Sequence, residues 1–245
     1  MAAVPILALD ETDSTNAEAR RLAEAGETGP LWITAKRQSA GRGRRGRAWE
    51  TGEGNLAATL LLTTDRMPAE AAQVSFVAAL AVSDMARIYL AADLVKLKWP
   101  NDMMLGGRKA AGILVESGRR DDGRLWLAVG IGVNLAKAPE NVERPATSFT
   151  DHGFASPPDA AEALTHLATA FDHWLARWDT GGFPVIAEAW TERAYGLGEP
   201  CVAHLGTETL HGVAEGLDSD GALRLRLADG AIRRISAGDV FFEGV

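Results

Sequence analysis

Apolar positions recur with two different periods along the 245 residues, and each period predicts an element. Residues 6–9 and 31–35 read as short strands, with Gln38 at the far end of the second. Between them Asp13 or Ser14 offers an N-cap for a helix that Gly26 stops. Residues 55–64 hold Leu56, Leu60, Leu61 and Leu62 with the β-branched Thr59 and Thr63, the pattern of a buried strand. Over 69–91, Val74, Val77, Ala81, Met85 and Ile88 return every three or four positions, which predicts one helix with a core-facing stripe. Residues 95–99 form a strand ended by Pro100, and 102–105 and 110–116 bracket the hairpin signal Gly106-Gly107. A further strand, 125–135, is interrupted by Gly130 and Gly132, and glycine inside a strand marks close approach to the backbone. A proline-containing connection, 136–158, leads to a long helix over 159–178 with Leu164, Leu167, Phe171, Trp174 and Trp178 on one side. Gly181-Gly182 breaks it, and 184–194 is a shorter helix. From about Gly198 the pattern changes to short alternating segments, 201–205, 209–217, 222–227 and 232–235, separated by turns; this predicts a small antiparallel barrel.

The length suits one large domain or a large one with a small one. A net charge of -8 argues against a general nucleic-acid coat. It also sharpens the one concentrated run of positive charge, Gly41-Arg42-Gly43-Arg44-Arg45-Gly46-Arg47-Ala48-Trp49. Glycine frees the backbone there, and guanidinium forks suit phosphate and carboxylate, so the run reads as a lid that orders over an anion. A solvated basic loop and an arginine-rich nucleic-acid segment are the alternatives. The single Cys201 excludes an intrachain disulfide, which suits the cytosol. Residues 1–11 lack the charge and apolar core of a signal peptide, and no run reaches the roughly 20 apolar residues of a membrane span. The expectation is a cytoplasmic protein without a membrane partner. His166 and His173 have no Cys or carboxylate at metal spacing and are read as ordinary helix residues.

Four separated polar clusters remain: Ser14-Thr15-Asn16; Gln38 with the arginine run; Lys98-Trp99-Pro100-Asn101-Asp102 continuing to Arg108-Lys109; and Gly130-Ile131-Gly132-Val133-Asn134. No nucleophile elbow surrounds Ser14, and no Walker loop is present. Together the clusters resemble the biotin protein ligase family, through SerThrAsn at 14–16, GlnSerAlaGlyArgGlyArgArgGlyArgAlaTrp at 38–49, LysTrpProAsnAsp at 98–102, ArgLysAlaAlaGlyIleLeuValGlu at 108–116, GlyIleGlyValAsnLeu at 130–135 and AlaThrSer at 146–148. GlyLeuAspSerAspGlyAlaLeu at 216–223 looks like that family's C-terminal barrel. Phe149 stands where the family more often has Leu, a packing difference.

The resemblance implies an α+β fold. Residues 1–195 would form a catalytic domain of the class II synthetase or biotin ligase type, a mixed central sheet flanked by helices. Residues 196–245 would form an SH3-like barrel. It implies activation of biotin by ATP to biotinyl-5′-AMP, and transfer to one lysine of the biotin carboxyl carrier protein of acetyl-CoA carboxylase. Ser14, Thr15, Asn16 and Gln38 would hold the ureido end of biotin, and Gly112 would let its ring lie against backbone. Lys109, Arg42 and Arg44, with Gly43, would contact its carboxylate and the reacting phosphate as the catalytic set. Arg47, Trp49, Lys98, Asn101 and Asn134 would hold ATP, with Trp49 near adenine. Asp102 would either help place Mg²⁺ or orient Lys109, and both readings stand at this point. With Ser14 directly after the first strand, no three-helix DNA-binding domain fits before it, so a ligase without repressor activity and without a nucleic-acid partner is expected. Monomer and homodimer are both open. The competing functions are a lipoate or octanoate ligase or transferase of the same fold, a nucleic-acid module using the arginine run, and a biotin-binding regulator without catalysis.

Overall fold

A computed structural model of the chain describes residues 4–140, 145–153, 157–206 and 208–242. Parts of the 136–158 connection (141–144 and 154–156) and of the C-terminal segment (207 and 243–245) lie outside the described residues. Among those described, seven strands form one mixed sheet: β1 (Ile6–Thr12), β2 (Leu31–Gln38), β3 (Leu56–Thr64), β4 (Val95–Lys98), β5 (Asp102–Leu105), β6 (Arg108–Arg119) and β7 (Leu125–Val133). Their order is β1-β2-β3-β7-β6-β5-β4; β1 and β2 run parallel and the remaining neighbours antiparallel. The helices are α1 (Thr15–Glu24), α2 (Pro68–Ala71), α3 (Val74–Tyr89) and α4 (Ala160–Thr191).

Helices cover both faces of the sheet, so β3 and β7 are buried on two sides and carry nearly unbroken apolar runs. Successive side chains on a strand point to opposite faces. Leu60 therefore joins the large core with α3 and α4, while Leu61 faces α1 with Ala19, Ala23, Ile33 and Ala128. A second, antiparallel sheet follows: β8 (Pro200–His204), β9 (Thr209–Leu217), β10 (Leu223–Arg226), β11 (Ile232–Ile235) and β12 (Asp239–Phe242), in the order β11-β10-β9-β8-β12. It is sewn to the first body by apolar contact and by Trp99 Nε1 donating to Gly221 O at 3.0 Å. The fold is thus α+β with a flanked mixed sheet, as the family resemblance implies.

Several boundaries differ from the sequence reading. β1 and β2 extend past residues 9 and 35 because they pair with each other as far as Thr12 and Gln38, a ladder invisible to local pattern. The helix expected over 69–91 is two helices, broken at Ala72 and Gln73. Ile88, on its apolar stripe by period, is 56% exposed; periodicity fixes where a side chain points, not whether a neighbour stands there. β12 escapes local reading because its Asp-Val-Phe-Phe sequence does not alternate apolar with polar positions. In the long helical stretch, Gly182 (φ 66°, ψ -170°) interrupts the helix where the paired glycines predict. Contrary to expectation, Pro68–Tyr89 is long and apolar enough to cross a bilayer by length and composition, although most of it is buried inside this fold.

Candidate active site

The floor of the site follows from alternation on β7. Val129, Ile131 and Val133 enter the core under α3 and α4, which leaves Gly130 and Gly132 on the α1 side. Strand register aligns Ala57, Gly132, Gly112 and Asp102 in one cross-strand row, and Thr59, Gly130 and Leu114 in the next. Small residues in the first row keep the floor flat. The close approach predicted at the strand glycines is made by the protein's own side chains. A Cβ at Gly130 would lie 2.1 Å from Asn16 Oδ1, and one at Gly132 would lie 2.3 Å from Cε2 of Trp49. A cleft of about 330 Å³ lies over this floor.

One wall is neutral and hydrogen-bonded. Gln38 Oε1 accepts from Thr15 N at 2.8 Å, and Gln38 Nε2 donates to Thr51 Oγ1 at 2.9 Å. Asn16 Nδ2 donates to Glu116 Oε2 at 2.8 Å and to Leu114 O at 3.2 Å. Thr59, with no exposed surface, sits behind Thr15 and Asn16. Ser14 is at the N-cap position of α1, but its side chain makes no capping bond. The capping role considered for Ser14 is therefore absent, and the buried side chain lines the cleft instead. Asp13 accepts from Ser14 N at 2.7 Å, and bonds from Arg21 above all hold its carboxyl well below the usual range.

The opposite wall is charged. The loop 41–49 folds back on itself through Trp49 N to Gly41 O (2.9 Å) and Gly43 N to Arg47 O (2.7 Å). Its arginines have separate partners. Arg42 lies 3.4 Å from Glu116 Oε1. Arg44 donates to Asn101 Oδ1 (3.2 Å) and Gly238 O (3.3 Å), and burial lowers its pKa. Arg45 and Arg47 both reach Asp239 Oδ2, at 3.1 and 2.7 Å. Lys109 Nζ lies 2.6 Å from Asp102 Oδ1, an ion pair whose angles miss hydrogen-bond alignment, and 5.5 Å from the centroid of Trp49. The segment after β7 holds the Lys109 backbone: Lys109 N donates to Pro145 O and Thr147 N to Lys109 O. Asn134 Nδ2 donates to Thr147 O at 3.1 Å. Asp151 ties the segment down by accepting from Ser148 N and Oγ, both at 2.8 Å; chiefly the Ser148 backbone bond, then its hydroxyl, lowers the Asp151 pKa.

All the predicted site residues except Lys98 therefore line one cleft. Lys98 is buried, with Nζ 6.0 Å from the ring centroid of Phe241 on β12, outside the cleft lining. The last residue of β4 points toward the second sheet, and sequence adjacency to Asn101 did not reveal that direction. Thr59, Glu116, Asp151 and Asp239 are polar members of the site that went unassigned. Thr59 carried a weak signal as a hydroxyl inside a leucine-rich strand; Asp239 carried none.

Residues 8–134 match the Biotin/lipoate A/B protein ligase family, and residues 196–243 match the Biotin protein ligase C terminal domain. The chain belongs to the biotin protein ligase family. A family member from Paracoccus denitrificans, a biotin–[acetyl-CoA-carboxylase] ligase, is 47% identical over 243 residues, covering 96% of this chain and 100% of the relative. A Mycobacterium tuberculosis relative of the same description is 32% identical over 94% of this chain and 86% of its own length. Among solved structures of the family, a biotin protein ligase from Aquifex aeolicus in complex with biotin and ATP superposes with a TM-score of 0.83 at 27% identity, over 98% of this chain and 99% of that one.

Proposed function

We infer that the chain is an ATP-dependent biotin–protein ligase. It would activate biotin to biotinyl-5′-AMP and pass the biotinyl group to a lysine of the biotin carboxyl carrier protein of acetyl-CoA carboxylase. One observation carries this reading: a single cleft joins a neutral donor–acceptor wall to a cationic wall across a floor centred on Gly112, Gly130 and Gly132. A cyclic urea needs the first, and a carboxylate beside a triphosphate needs the second.

In the first step a biotin carboxylate oxygen attacks the α-phosphorus, the bond to the bridging oxygen breaks, and pyrophosphate leaves. Two anions must approach, so fixed cations lower the barrier, by about 3–4 kcal/mol for one well-placed donor. Lys109, Arg42 and Arg44 supply them. Arg47 and Asn101 hold phosphate, and Trp49 and Asn134 hold the adenine end. In the second step the carrier amine attacks the acyl carbon, loses a proton, and AMP leaves with the anhydride oxygen. The loop 41–49 keeps water from the mixed anhydride until the carrier arrives.

The protein residues do not fit a self-contained Mg²⁺ site. Among the described residues no three His, Cys, Asp or Glu side chains converge on one point, and Asp102 is engaged by Lys109. Orientation of Lys109 is thus the role assigned to Asp102; a divalent ion accompanying ATP is held chiefly by the phosphates. We further assign residues 1–195 to the catalytic unit and 196–245 to the barrel, the cytoplasm as the compartment, and pairing between copies as a question for sedimentation.

Incubation with biotin, ATP-Mg²⁺ and a carrier domain, read by intact mass, tests the function. One ATP-dependent biotinyl addition is expected. No addition to a carrier that another ligase labels, or equal addition of lipoate, would refute it.

A further inference from the structure

Thr59 Oγ1 lies 2.8 Å from Thr15 Oγ1 and 2.7 Å from Asn16 Oδ1. A hydroxyl has one proton, so it cannot donate to both. The amide of Asn16 settles which contact receives it. Its Nδ2 donates to Glu116 Oε2 and Leu114 O, two groups that only accept, so its Oδ1 faces Thr59 and can only accept as well. Thr59 must therefore donate to Asn16. The contact with Thr15 is then a bond only if the Thr15 hydroxyl donates to Thr59. The reverse assignment would leave the buried oxygens of Thr59 and Asn16 2.7 Å apart with no proton between them.

The consequence reaches the cleft. With its proton turned inward, Thr15 Oγ1 presents lone pairs to the ligand. Gln38 Oε1, which receives Thr15 N at 2.8 Å, is the competing acceptor for the Thr15 hydroxyl at 3.2 Å; the contact to Thr59 is shorter at 2.8 Å and takes the proton, so Gln38 Oε1 and Thr15 Oγ1 both face the cleft as acceptors. Two acceptors side by side call for a donor between them.

We infer that Thr59 is a positioning residue: with Asn16 and Glu116 it fixes the direction of a proton chain that makes Thr15 an acceptor toward the cleft, so that the ligand must present an N–H there. This rests on the reading of the cleft as a biotin site, and it assigns one urea N–H of biotin to Thr15 and Gln38. Thr59 is fully buried and cannot touch the ligand itself.

The test is calorimetry of wild type, Thr59→Val and Thr59→Ser with biotin and with its two cyclic carbamate analogues, each having one urea N–H replaced by a ring oxygen. Wild type should bind the weaker carbamate at least about tenfold less tightly than biotin, because an acceptor would then face two acceptors. In Thr59→Val the Thr15 hydroxyl is free to rotate. Biotin affinity should fall about tenfold while that carbamate changes little, so the ratio collapses. Thr59→Ser keeps the hydroxyl and should restore the wild-type ratio. A merely structural role would weaken all ligands together, and an unchanged ratio in Thr59→Val would overturn the assignment. So would a serine variant that behaves like valine. Should Thr59→Val fail to fold, the wild-type ratio still decides: both carbamates within about threefold of biotin would overturn it. Wild type that binds no biotin would overturn the functional reading and this assignment together.

Discussion

With the roles proposed above, the Lys109–Asp102 ion pair would serve both stability and chemistry. The Asp102 side chain is 5% exposed and that of Lys109 is 26% exposed. Removing the lysine would take away the cation proposed to face the reacting groups, and it strands a buried carboxylate. Lys109→Ala should lower adenylate synthesis at least about 100-fold, and it should lower the melting temperature as well. Adding Asp102→Asn should recover the melting temperature without the activity, which a pyrophosphate-release assay beside a thermal melt would separate. Arg44 is anchored at Asn101 and Gly238, so Arg44→Ala should leave folding intact and release free adenylate faster. An unchanged release rate would argue against the loop as a seal. Asp151 has a pKa lowered in the folded state, so its stabilisation is full above the unfolded carboxylate value of about 4 and is lost as pH falls below it. Urea unfolding at pH 7 and pH 3 should show Asp151→Asn costing stability at the higher pH and much less at the lower.

At the scale of the element, β7 does two jobs with one alternation. Its odd positions build the core, and its glycines make room for Asn16 and Trp49. Gly132→Ala tests the second job, because the new methyl would collide with the indole while its strand stays paired. Loss of one aromatic stack is worth about 0.5–1.5 kcal/mol, so the KM for ATP should rise about two- to tenfold with a shifted tryptophan emission. A variant with unaltered KM and emission would show that Trp49 does not need this surface. The strands and helices of this layer were largely legible, since their periods are local. Their ends were not: β1 and β2 stop where their mutual ladder stops, and α3 begins after a break that the continuous apolar stripe concealed.

For the whole molecule, the second sheet meets the arginine loop over the candidate site of the first. Asp239 on β12 receives Arg45 and Arg47 from a loop nearly two hundred positions earlier, and Gly238 receives Arg44. The arginine side chains are 43% and 39% exposed, so screening limits the two pairs to about 1 kcal/mol. Asp239→Asn should therefore leave the global unfolding midpoint nearly unchanged but open the loop to protease several-fold faster at its arginines. Equal cleavage rates would mean that the second sheet does not restrain the loop.

The sequence by itself determined the chemistry on offer. The SerThrAsn cluster, the arginine run and Lys109 are runs of neighbouring residues, and their side chains have the same donors and charges in any fold. The helix and strand periods were equally local. Only the tertiary structure decided which groups face each other. Lys98 turned toward Phe241 instead of the cleft, Asp239 arrived from another sheet, and Thr59 became the proton donor behind Asn16. Such pairings depend on strand register and on the docking of two sheets, and both are set by contacts between residues far apart in the chain.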